Sequence, residues 1–180
     1  MSAEKERRMW QDPEATLSSV HVQRGSTFID VGCGDGFFAI PAAKIVGKTG
    51  KVYCVDIDDT VIHRLRVKAE KIGLKNMILK IGEAEETVFC ESCADTVFFG
   101  IVLHDFKDPA RVIANAKRML KPQGRLVNLD WKKESTELGP PRQIRFSQEE
   151  VTQLIEKIGF TLEISKEVGP YHYLMVARPH

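Results

Sequence analysis

The chain has 180 residues, enough for one domain with a single sizeable hydrophobic core. Its 26 Lys and Arg residues nearly balance 25 Asp and Glu residues, so the net charge of +1 provides no general attraction to nucleic acid or anionic lipid. No stretch has the length and apolarity of a transmembrane helix, and the charged N-terminus does not resemble a signal peptide. We therefore predict a cytoplasmic protein with no membrane partner.

Residues 1–22 predict a short N-terminal helical segment with a turn at Asp12-Pro13. The segment contains an aromatic residue and two neighbouring arginines in a region with no other strong reason to be apolar. We expect it to close over a ligand pocket, with Trp10 as apolar cover and Arg7 or Arg8 as a polar contact. Packing at the far edge of a sheet is the alternative.

A glycine-rich turn follows the first predicted strand. Residues 27–31 are a short apolar run typical of a buried strand, and Gly32, Gly34 and Gly36 then break it into a tight turn. A helix is predicted over residues 36–46. Because glycines let the backbone pass close to a ligand, this turn is a candidate binding loop, and a purely structural turn is the alternative.

The second predicted strand, residues 51–55, ends at an acid. Asp56 follows Gly36 by 20 residues. Strand, glycine turn, helix and acid in this order are typical of a doubly wound α/β domain that holds a nucleoside-bearing cofactor, whose ribose hydroxyls donate to the carboxylate. A solvated acid at a strand end is the alternative.

The glycine spacing narrows the choice of cofactor. A dinucleotide fingerprint requires Gly-x-Gly-x-x-Gly, but its third glycine position, counted from Gly32, is Phe37. Asp30 also precedes the turn, and a fixed carboxylate suits an ammonium group better than a pyrophosphate. These two features favour S-adenosylmethionine, in which adenosine is joined to an amino acid. They disfavour a nicotinamide dinucleotide, and therefore a nicotinamide-dependent reductase.

The remaining pattern alternates helices and strands. Further helices are predicted over 59–72, 109–120 and 147–158, and further strands over 77–81, 95–100, 125–130, 160–165 and 173–177. This alternation predicts one domain, residues 1–180, with a mainly parallel sheet, helices on both faces and an antiparallel last pair of strands. Residues 131–146 lack periodicity and are interpreted as a substrate-side loop or lid, or equally as an ordinary surface loop.

Five motifs in order now support a family resemblance. They are Ile29-Asp-Val-Gly-Cys-Gly-Asp-Gly, Val55-Asp-Ile-Asp, Gly82-Glu-Ala-Glu, Ala94-Asp-Thr-Val-Phe-Phe-Gly-Ile-Val-Leu-His-Asp-Phe and Met119-Leu-Lys-Pro-Gln-Gly-Arg-Leu-Val. Over nearly the whole chain they resemble the class I S-adenosylmethionine-dependent methyltransferases, loosely nearest the small-molecule branch that includes quinone-biosynthesis enzymes. The resemblance implies a Rossmann-like, seven-stranded sheet in the order 3-2-1-4-5-7-6 and transfer of a methyl group to a small molecule, with S-adenosylhomocysteine as product.

The resemblance also implies a set of cofactor-binding residues. They are Asp30, Gly32, Cys33 and Gly34 at the methionine tail, Asp56 at the ribose, Ile57, Glu83 and Ala84 at the adenine, and Gly100 and Ile101 near the methionine end. Simple packing is the alternative for Cys33, and an exposed acid is the alternative for Glu83. Because Gly100 replaces an asparagine-like residue of the family, amine and nucleic-acid-base acceptors lose support.

His104 is the candidate catalytic residue, because it follows the fourth predicted strand, close to where the resemblance places the methyl group. Methyl transfer from a sulfonium depends mostly on in-line positioning of the nucleophile. A general base is needed only where the acceptor carries a proton with a high pKa. His104 would remove that proton or orient the acceptor; a packing role or a hydrogen bond within the loop is the alternative.

The four cysteines give little support to a metal site. Cys90-Glu-Ser-Cys93 is a single Cys-x-x-Cys pair without a second pair, so we expect no metal and leave the role of these two residues open. Cys33 and Cys54 are expected to be buried as small apolar residues. All four are expected to be reduced thiols.

Two other functions stay open beside a small-molecule methyltransferase. One is an RNA or protein methyltransferase, for which Lys132, Lys133, Arg142 and Arg145 would supply a local basic patch, although the neutral net charge disfavours nucleic acid. The other is a module that binds S-adenosylmethionine without turnover. The acceptor, the methylated atom and the choice between monomer and homodimer are not determined by the sequence.

Overall fold

Two compact units make up the described chain. The structure, a computed structural model, describes residues 3–180, so Met1 and Ser2 of the predicted N-terminal segment lie outside the described residues. The first unit ends at Ala84, and the second runs from Glu85 to His180. The organisation as a single domain stays a prediction. Within residues 3–180, no helix is both long enough and apolar enough to cross a lipid bilayer.

The first unit alternates helices with parallel strands. Its elements are α1 (Ala3–Arg8), α2 (Pro13–Ser19), β1 (Thr27–Val31), α3 (Ala39–Val46), β2 (Lys51–Asp56), α4 (Asp59–Lys71) and β3 (Met77–Ile81). Strand β2 pairs in parallel with β1 and with β3. Asp12 caps α2 by accepting a hydrogen bond from the Ala15 amide, and Pro13 occupies the first helical position. The predicted turn at Asp12-Pro13 is therefore confirmed.

Helix α3 begins at Ala39 and not at the predicted Gly36. Gly34 and Gly36 have φ angles of +52° and +92°, outside the right-handed helical region. A Cβ atom at Gly36 would also lie 2.4 Å from the Cδ1 atom of Leu65 on α4. The glycine turn therefore continues through residues that the sequence assigned to the helix, and Gly36 is needed for packing as well as for the turn.

The second unit contains the rest of the sheet. Its elements are β4 (Ala94–Gly100), α5 (Pro109–Met119), β5 (Leu120–Trp131), α6 (Gln148–Ile158), β6 (Phe160–Val168) and β7 (His172–Pro179), with 3-10 turns at Leu103–Asp105 and Arg142–Ile144. Another 3-10 turn, Ala84–Glu86, lies at the junction of the units. Ser147 and Glu150 form a capping box at the start of α6, and Gly159 ends that helix in the left-handed conformation.

Strand β5 begins earlier than predicted. It starts at Leu120, which pairs with Ala94 of β4, and the register shifts between Ala94 and Thr96. A Cβ atom at Gly124 would lie 2.7 Å from the Ala94 carbonyl oxygen. Gly124, which precedes the predicted strand, therefore allows close approach of β4 and β5.

The seven strands form one sheet in the order β3-β2-β1-β4-β5-β7-β6. Strand β7 is antiparallel to both β5 and β6, whereas β4 and β5 are parallel. The predicted doubly wound fold with antiparallel last strands is confirmed. Within each unit, carboxyl ends of parallel strands lie at one edge, where ligands bind in such sheets. In the first unit this edge carries the glycine turn and Asp56, and in the second it carries the segment after Gly100 and the end of β5.

Candidate functional site

In the first unit, the glycine turn is hydrogen-bonded to the end of β2. The Gly34 amide donates to Oδ2 of Asp56 at 2.8 Å, and the Asp58 amide donates to Oδ1 at 3.0 Å. The Gly32 and Cys33 amides both donate to the Val55 carbonyl, at 2.8 and 3.1 Å. A carboxylate oxygen can accept more than one hydrogen bond, so both oxygens of Asp56 retain capacity for a pair of ligand hydroxyls.

Gly34 leaves open space beside the turn. Its φ of +52° is rare for residues with a side chain, and a Cβ atom built at this position would meet no atom within 4 Å. Gly32 has a φ of +72° as well. The turn therefore exposes its backbone to open space at the carboxyl end of β1. A loop that holds a ligand through main-chain contacts needs such an exposed backbone.

Asp30 is a buried acid at the same strand end, with only 2% of its surface exposed. Burial raises the pKa of its carboxyl group to about 7; the nearby Arg7 guanidinium lowers that pKa and the Asp56 carboxylate raises it further. A cationic group bound beside Asp30 would favour the ionised form. This carboxyl group is therefore suited to the ammonium end of an amino acid.

Arg7 connects α1 with the residue that follows the glycine turn. Its guanidinium carbon lies 4.0 Å from the centre of the Phe37 ring, and its Nε donates to Oε1 of Gln11 at 2.7 Å. Burial lowers the Arg7 pKa to about 10, while the charges of Asp30 and Asp35 raise it. The contact with a cofactor predicted for this segment stays a prediction, as does the role of the half-buried Trp10.

The other predicted residues of the first unit differ in exposure. Ile57 follows Asp56 directly and is 63% exposed, so its apolar side chain is accessible to a ring. Glu83 and Ala84 are half-buried. Cys33 and Cys54 are both buried free thiols, as expected. A hydrogen bond with Cys54 and burial raise the pKa of the Cys33 thiol, which therefore stays protonated.

In the second unit, a strained residue follows β4. Ile101 has a φ of +63°, an outlier for a β-branched side chain, and its amide donates to the Leu129 carbonyl of β5 at 2.7 Å. Such strain persists only where surrounding structure enforces it, and it is concentrated at functional sites. Gly100 precedes it as the last residue of β4. The strand end that the resemblance assigned to the site is thus conformationally unusual.

His104 and Asp130 form a buried pair that the sequence did not predict. His104 Nδ1 lies 2.7 Å from Oδ1 of Asp130, with 4% and 2% of the two side chains exposed. Because a carboxylate only accepts, Nδ1 is the donor and Nε2 is left to accept a proton. Nε2 lies 3.6 Å from Oδ2 of the exposed Asp105. The Trp131 amide donates to Oδ1 of Asp130 at 2.8 Å and fixes the carboxylate.

The protonation of His104 reflects opposing effects. Burial disfavours its charged form, but the hydrogen bond and the charge of Asp130 outweigh burial, so the His104 pKa is raised. Within residues 3–180, Oδ2 of Asp130 has no hydrogen-bond partner, so it can accept from a ligand or a water molecule. The signal that could have found Asp130 is its position at the carboxyl end of β5, beside the end of β4 in a parallel pair.

Residues 23–169 match a protein-family profile described as a methyltransferase domain. The chain belongs to this methyltransferase family. It is 32% identical over 125 residues to the ubiquinone/menaquinone biosynthesis C-methyltransferase UbiE of Blochmanniella pennsylvanica, covering 69% of this chain and 48% of that protein. It is 31% identical over 115 residues to the demethylmenaquinone methyltransferase of Oceanobacillus iheyensis, covering 64% of this chain and 48% of that protein.

The chain spans about half the length of the curated relatives it matches. Among solved structures, a SAM-dependent methyltransferase from Aquifex aeolicus aligns with a TM-score of 0.90 at 32% identity. That alignment covers 95% of this chain and 91% of the Aquifex chain. The family resemblance inferred from the five motifs is therefore confirmed.

In this methyltransferase domain, the loop at 131–146 is organised around a buried arginine. Arg145 is 3% exposed and stacks 5.2 Å from the Trp131 ring. Its guanidinium donates to the carbonyls of Lys132, Glu134, Leu138 and Pro140 at 2.8 to 3.1 Å. A Cβ atom at Gly139 would lie 2.7 Å from the same ring. The loop thus has fixed internal structure, and its role as a lid or substrate-side loop stays a prediction.

The basic patch considered for an RNA substrate is mostly neutralised. Lys132 and Lys133 pair with Glu167 and Glu150, each at 2.6 Å, and Arg145 is buried. Arg142 donates to the Lys133 carbonyl. Three of these four residues are therefore ion-paired or buried, and Arg142 is exposed.

The prediction that all four cysteines are reduced thiols requires a correction for the two outside the site. Cys90 and Cys93 are joined as a disulfide, although reduced thiols were expected. The turn between them brings their Cα atoms to 6.0 Å, a separation that a disulfide can span. Within residues 3–180, no group of three or more His, Cys, Asp or Glu side chains is placed to hold a metal ion.

Proposed function

We propose that the protein is an S-adenosylmethionine-dependent methyltransferase that acts on a small molecule by in-line displacement. The observation that carries the proposal is the hydrogen-bonded link between the Gly34 amide and Asp56, with the buried Asp30 at the same edge. Family membership and the likeness to the Aquifex methyltransferase support it. The cofactor would supply both the methyl group and its sulfonium leaving group.

The residues of the first unit fit this cofactor. Asp56 would accept hydrogen bonds from the ribose hydroxyls while its other lone pairs hold the Gly34 and Asp58 amides. Asp30 would pair with the ammonium group, and the exposed Ile57 would pack on the adenine ring. A buried carboxyl group at this strand end disfavours a pyrophosphate, so we expect no binding of NAD.

The residues of the second unit suit proton removal. Asp130 would hold the His104 ring with Nδ1 protonated, which leaves Nε2 as the base. An acceptor with a hydroxyl or an acidic C–H would then lose its proton as the new bond to the methyl carbon forms. The likeness to a C-methyltransferase of ubiquinone/menaquinone biosynthesis and to a demethylmenaquinone methyltransferase supports quinone-type acceptors, methylated on carbon, as the first class to test.

Isothermal titration calorimetry with S-adenosylmethionine, S-adenosylhomocysteine and NAD tests cofactor binding. We expect micromolar affinity for the first two ligands and no binding of NAD. Mass spectrometry of S-adenosylhomocysteine formed in the presence of an acceptor panel tests turnover. Absence of S-adenosylmethionine binding would contradict the proposal. Binding without turnover on any acceptor would instead favour a non-catalytic binding module.

A further inference from the structure

The turn between Cys90 and Cys93 carries a second kind of chemistry that methyl transfer does not use. We propose that Cys90 and Cys93 are a redox-active pair that exchanges between dithiol and disulfide with low-molecular-weight disulfides. The pair lies directly before β4, in the second unit.

Accessibility separates this pair from the other two cysteines. Cys90 and Cys93 are half-buried, so a small disulfide can reach their sulfur atoms. Cys33 and Cys54 are 6% and 0% exposed and lie within the core of the first unit. Thiol–disulfide exchange requires direct attack on sulfur, so access selects the first pair. Cys33 and Cys54 are therefore buried controls, within the same chain, for the accessible pair Cys90 and Cys93.

The backbone around the pair is fixed independently of the sulfur atoms. The Ser92 and Cys93 amides donate to the Arg118 and Met119 carbonyls at the end of α5, each at 2.9 Å. The Phe89 amide donates to Sδ of Met119 at 3.3 Å. These bonds hold both sides of the turn against one helix end. The Cα separation of 6.0 Å is thus supported by the main chain, and it falls in the range of about 4.4–6.8 Å found for disulfides.

Ser92 gives the turn its shape. Its φ of +50° is a left-handed conformation that a residue with a side chain adopts only when surrounding contacts enforce it. The turn folds back at this residue, which directs the two cysteines toward each other. A metal ligand role has less support, because no third ligand is placed with the pair within residues 3–180.

The exchange reaction balances without any group beyond a small disulfide. One cysteine thiolate attacks a sulfur atom of the disulfide, forms a mixed disulfide and releases one small thiolate, which takes up a proton. The second cysteine thiolate attacks the protein sulfur of that mixed disulfide and releases the second small thiol. The protein loses two protons and two electrons, and one small disulfide is reduced to two thiols.

The test uses the whole protein, equilibrated in glutathione buffers of increasing oxidised-to-reduced ratio. After acid quenching, free thiols are alkylated with N-ethylmaleimide in denaturant and counted by intact mass. We expect the count to fall from four to two, and peptide mapping to locate the lost thiols at Cys90 and Cys93. Dithiothreitol should restore four. A count that stays at four, a loss at Cys33 and Cys54, or disulfides only between chains would overturn the proposal.

Single variants test the resolving step. In Cys93→Ser and in Cys90→Ser, the remaining thiol has no partner, so a stable mixed disulfide with glutathione should accumulate. Cys54→Ala is the matched control and should leave the two-thiol loss unchanged. If each single variant remains unmodified by oxidised glutathione while folded by circular dichroism, the sulfur atoms are inaccessible and the proposal is wrong.

Discussion

The two units carry clusters of different construction. In the first, the Asp56 carboxylate accepts hydrogen bonds from two backbone amides and Asp30 lies near the end of the neighbouring strand, so the backbone positions the acidic groups. In the second, two buried side chains, His104 and Asp130, hold each other at 2.7 Å. The first arrangement suits recognition of a cofactor, and the second suits movement of a proton. Substitutions in each should therefore affect different measured quantities.

The largest expected effect comes from His104→Ala. If the acceptor must lose a proton, turnover should fall by ~10²–10⁴-fold, the usual contribution of a general base. The dissociation constant for S-adenosylmethionine should change little, because the residues assigned to the cofactor lie mainly in the first unit. Initial rates and calorimetry measure the two quantities. The exposed His63→Ala should change neither, and loss of cofactor binding in His104→Ala would place His104 in the cofactor site instead.

Asp130→Asn tests the same pair through the pH profile of turnover. If His104 is the base, its neutral form is the active one, so turnover should fall as the pH drops through the raised His104 pKa. Asp130 raises that pKa through its hydrogen bond and its charge, and the substitution weakens the first and removes the second, so the midpoint should move to lower pH. The rate on the alkaline plateau should fall as well, because the ring loses its orientation. An unchanged midpoint would show that the observed titration belongs to another group.

Asp56→Ala should weaken the binding of S-adenosylmethionine without slowing the methyl-transfer step. Loss of hydrogen bonds to a charged group should weaken S-adenosylmethionine binding by ~1.5–3 kcal/mol, or roughly 10- to 150-fold. Calorimetry measures the loss, and saturating cofactor should restore much of the turnover. Asp59→Ala, at an exposed position three residues after Asp56 at the start of α4, is the control. Equal affinity in Asp56→Ala and the native protein would remove Asp56 from the site.

These two clusters also differ in how far the sequence predicted them. Asp56 lies 22 residues from Gly34, and Asp130 lies 26 residues from His104, so separation alone does not explain the difference. The first contact arises within one strand–helix–strand unit, whose glycine turn and terminal acid have a fixed relation. The second depends on the register of β4 against β5, which shifts between Ala94 and Thr96. The local pattern of apolar and polar residues does not predict that shift in register.

The same reason accounts for the missed strand start and loop structure. Gly124 lies before the predicted start of the strand, whereas in the structure it belongs to β5 and closely approaches the Ala94 carbonyl of β4. Arg145 was interpreted as a surface cation, whereas it is buried by carbonyl groups of its own loop. At both positions the sequence shows which residue is present but not which group it contacts, because that contact is determined by tertiary packing. Strand β1, with its apolar run and glycine stop, needed no such information.

The raised pKa of Asp30 predicts opposite pH dependences for cofactor affinity and for the stability of the fold. Its pKa is raised from its ordinary value to about 7, so the protonated form favours the folded, ligand-free protein, and stability should fall as pH rises from about 4 to about 7 and then level off. In the proposed complex, ionised Asp30 would pair with the ammonium group, so affinity for S-adenosylmethionine should fall by roughly tenfold between pH 8 and pH 6. Thermal unfolding and calorimetry measure the two trends. Asp30→Asn should lose both slopes, and a retained slope would assign them to a different group.

Arg7→Ala should give the smallest effect and separates the two contributions to Asp30. Arg7 lies near Asp30 and lowers its pKa, so removal of the guanidinium should move the midpoint of the binding profile to higher pH. Loss of the contact with Phe37 removes about 0.5–1 kcal/mol of cation–π attraction, so affinity at pH 8 should fall only a few-fold. Arg66→Ala, which removes an exposed arginine on α4, is the control. A higher affinity in Arg7→Ala would instead show that Arg7 competes with the ligand ammonium for Asp30.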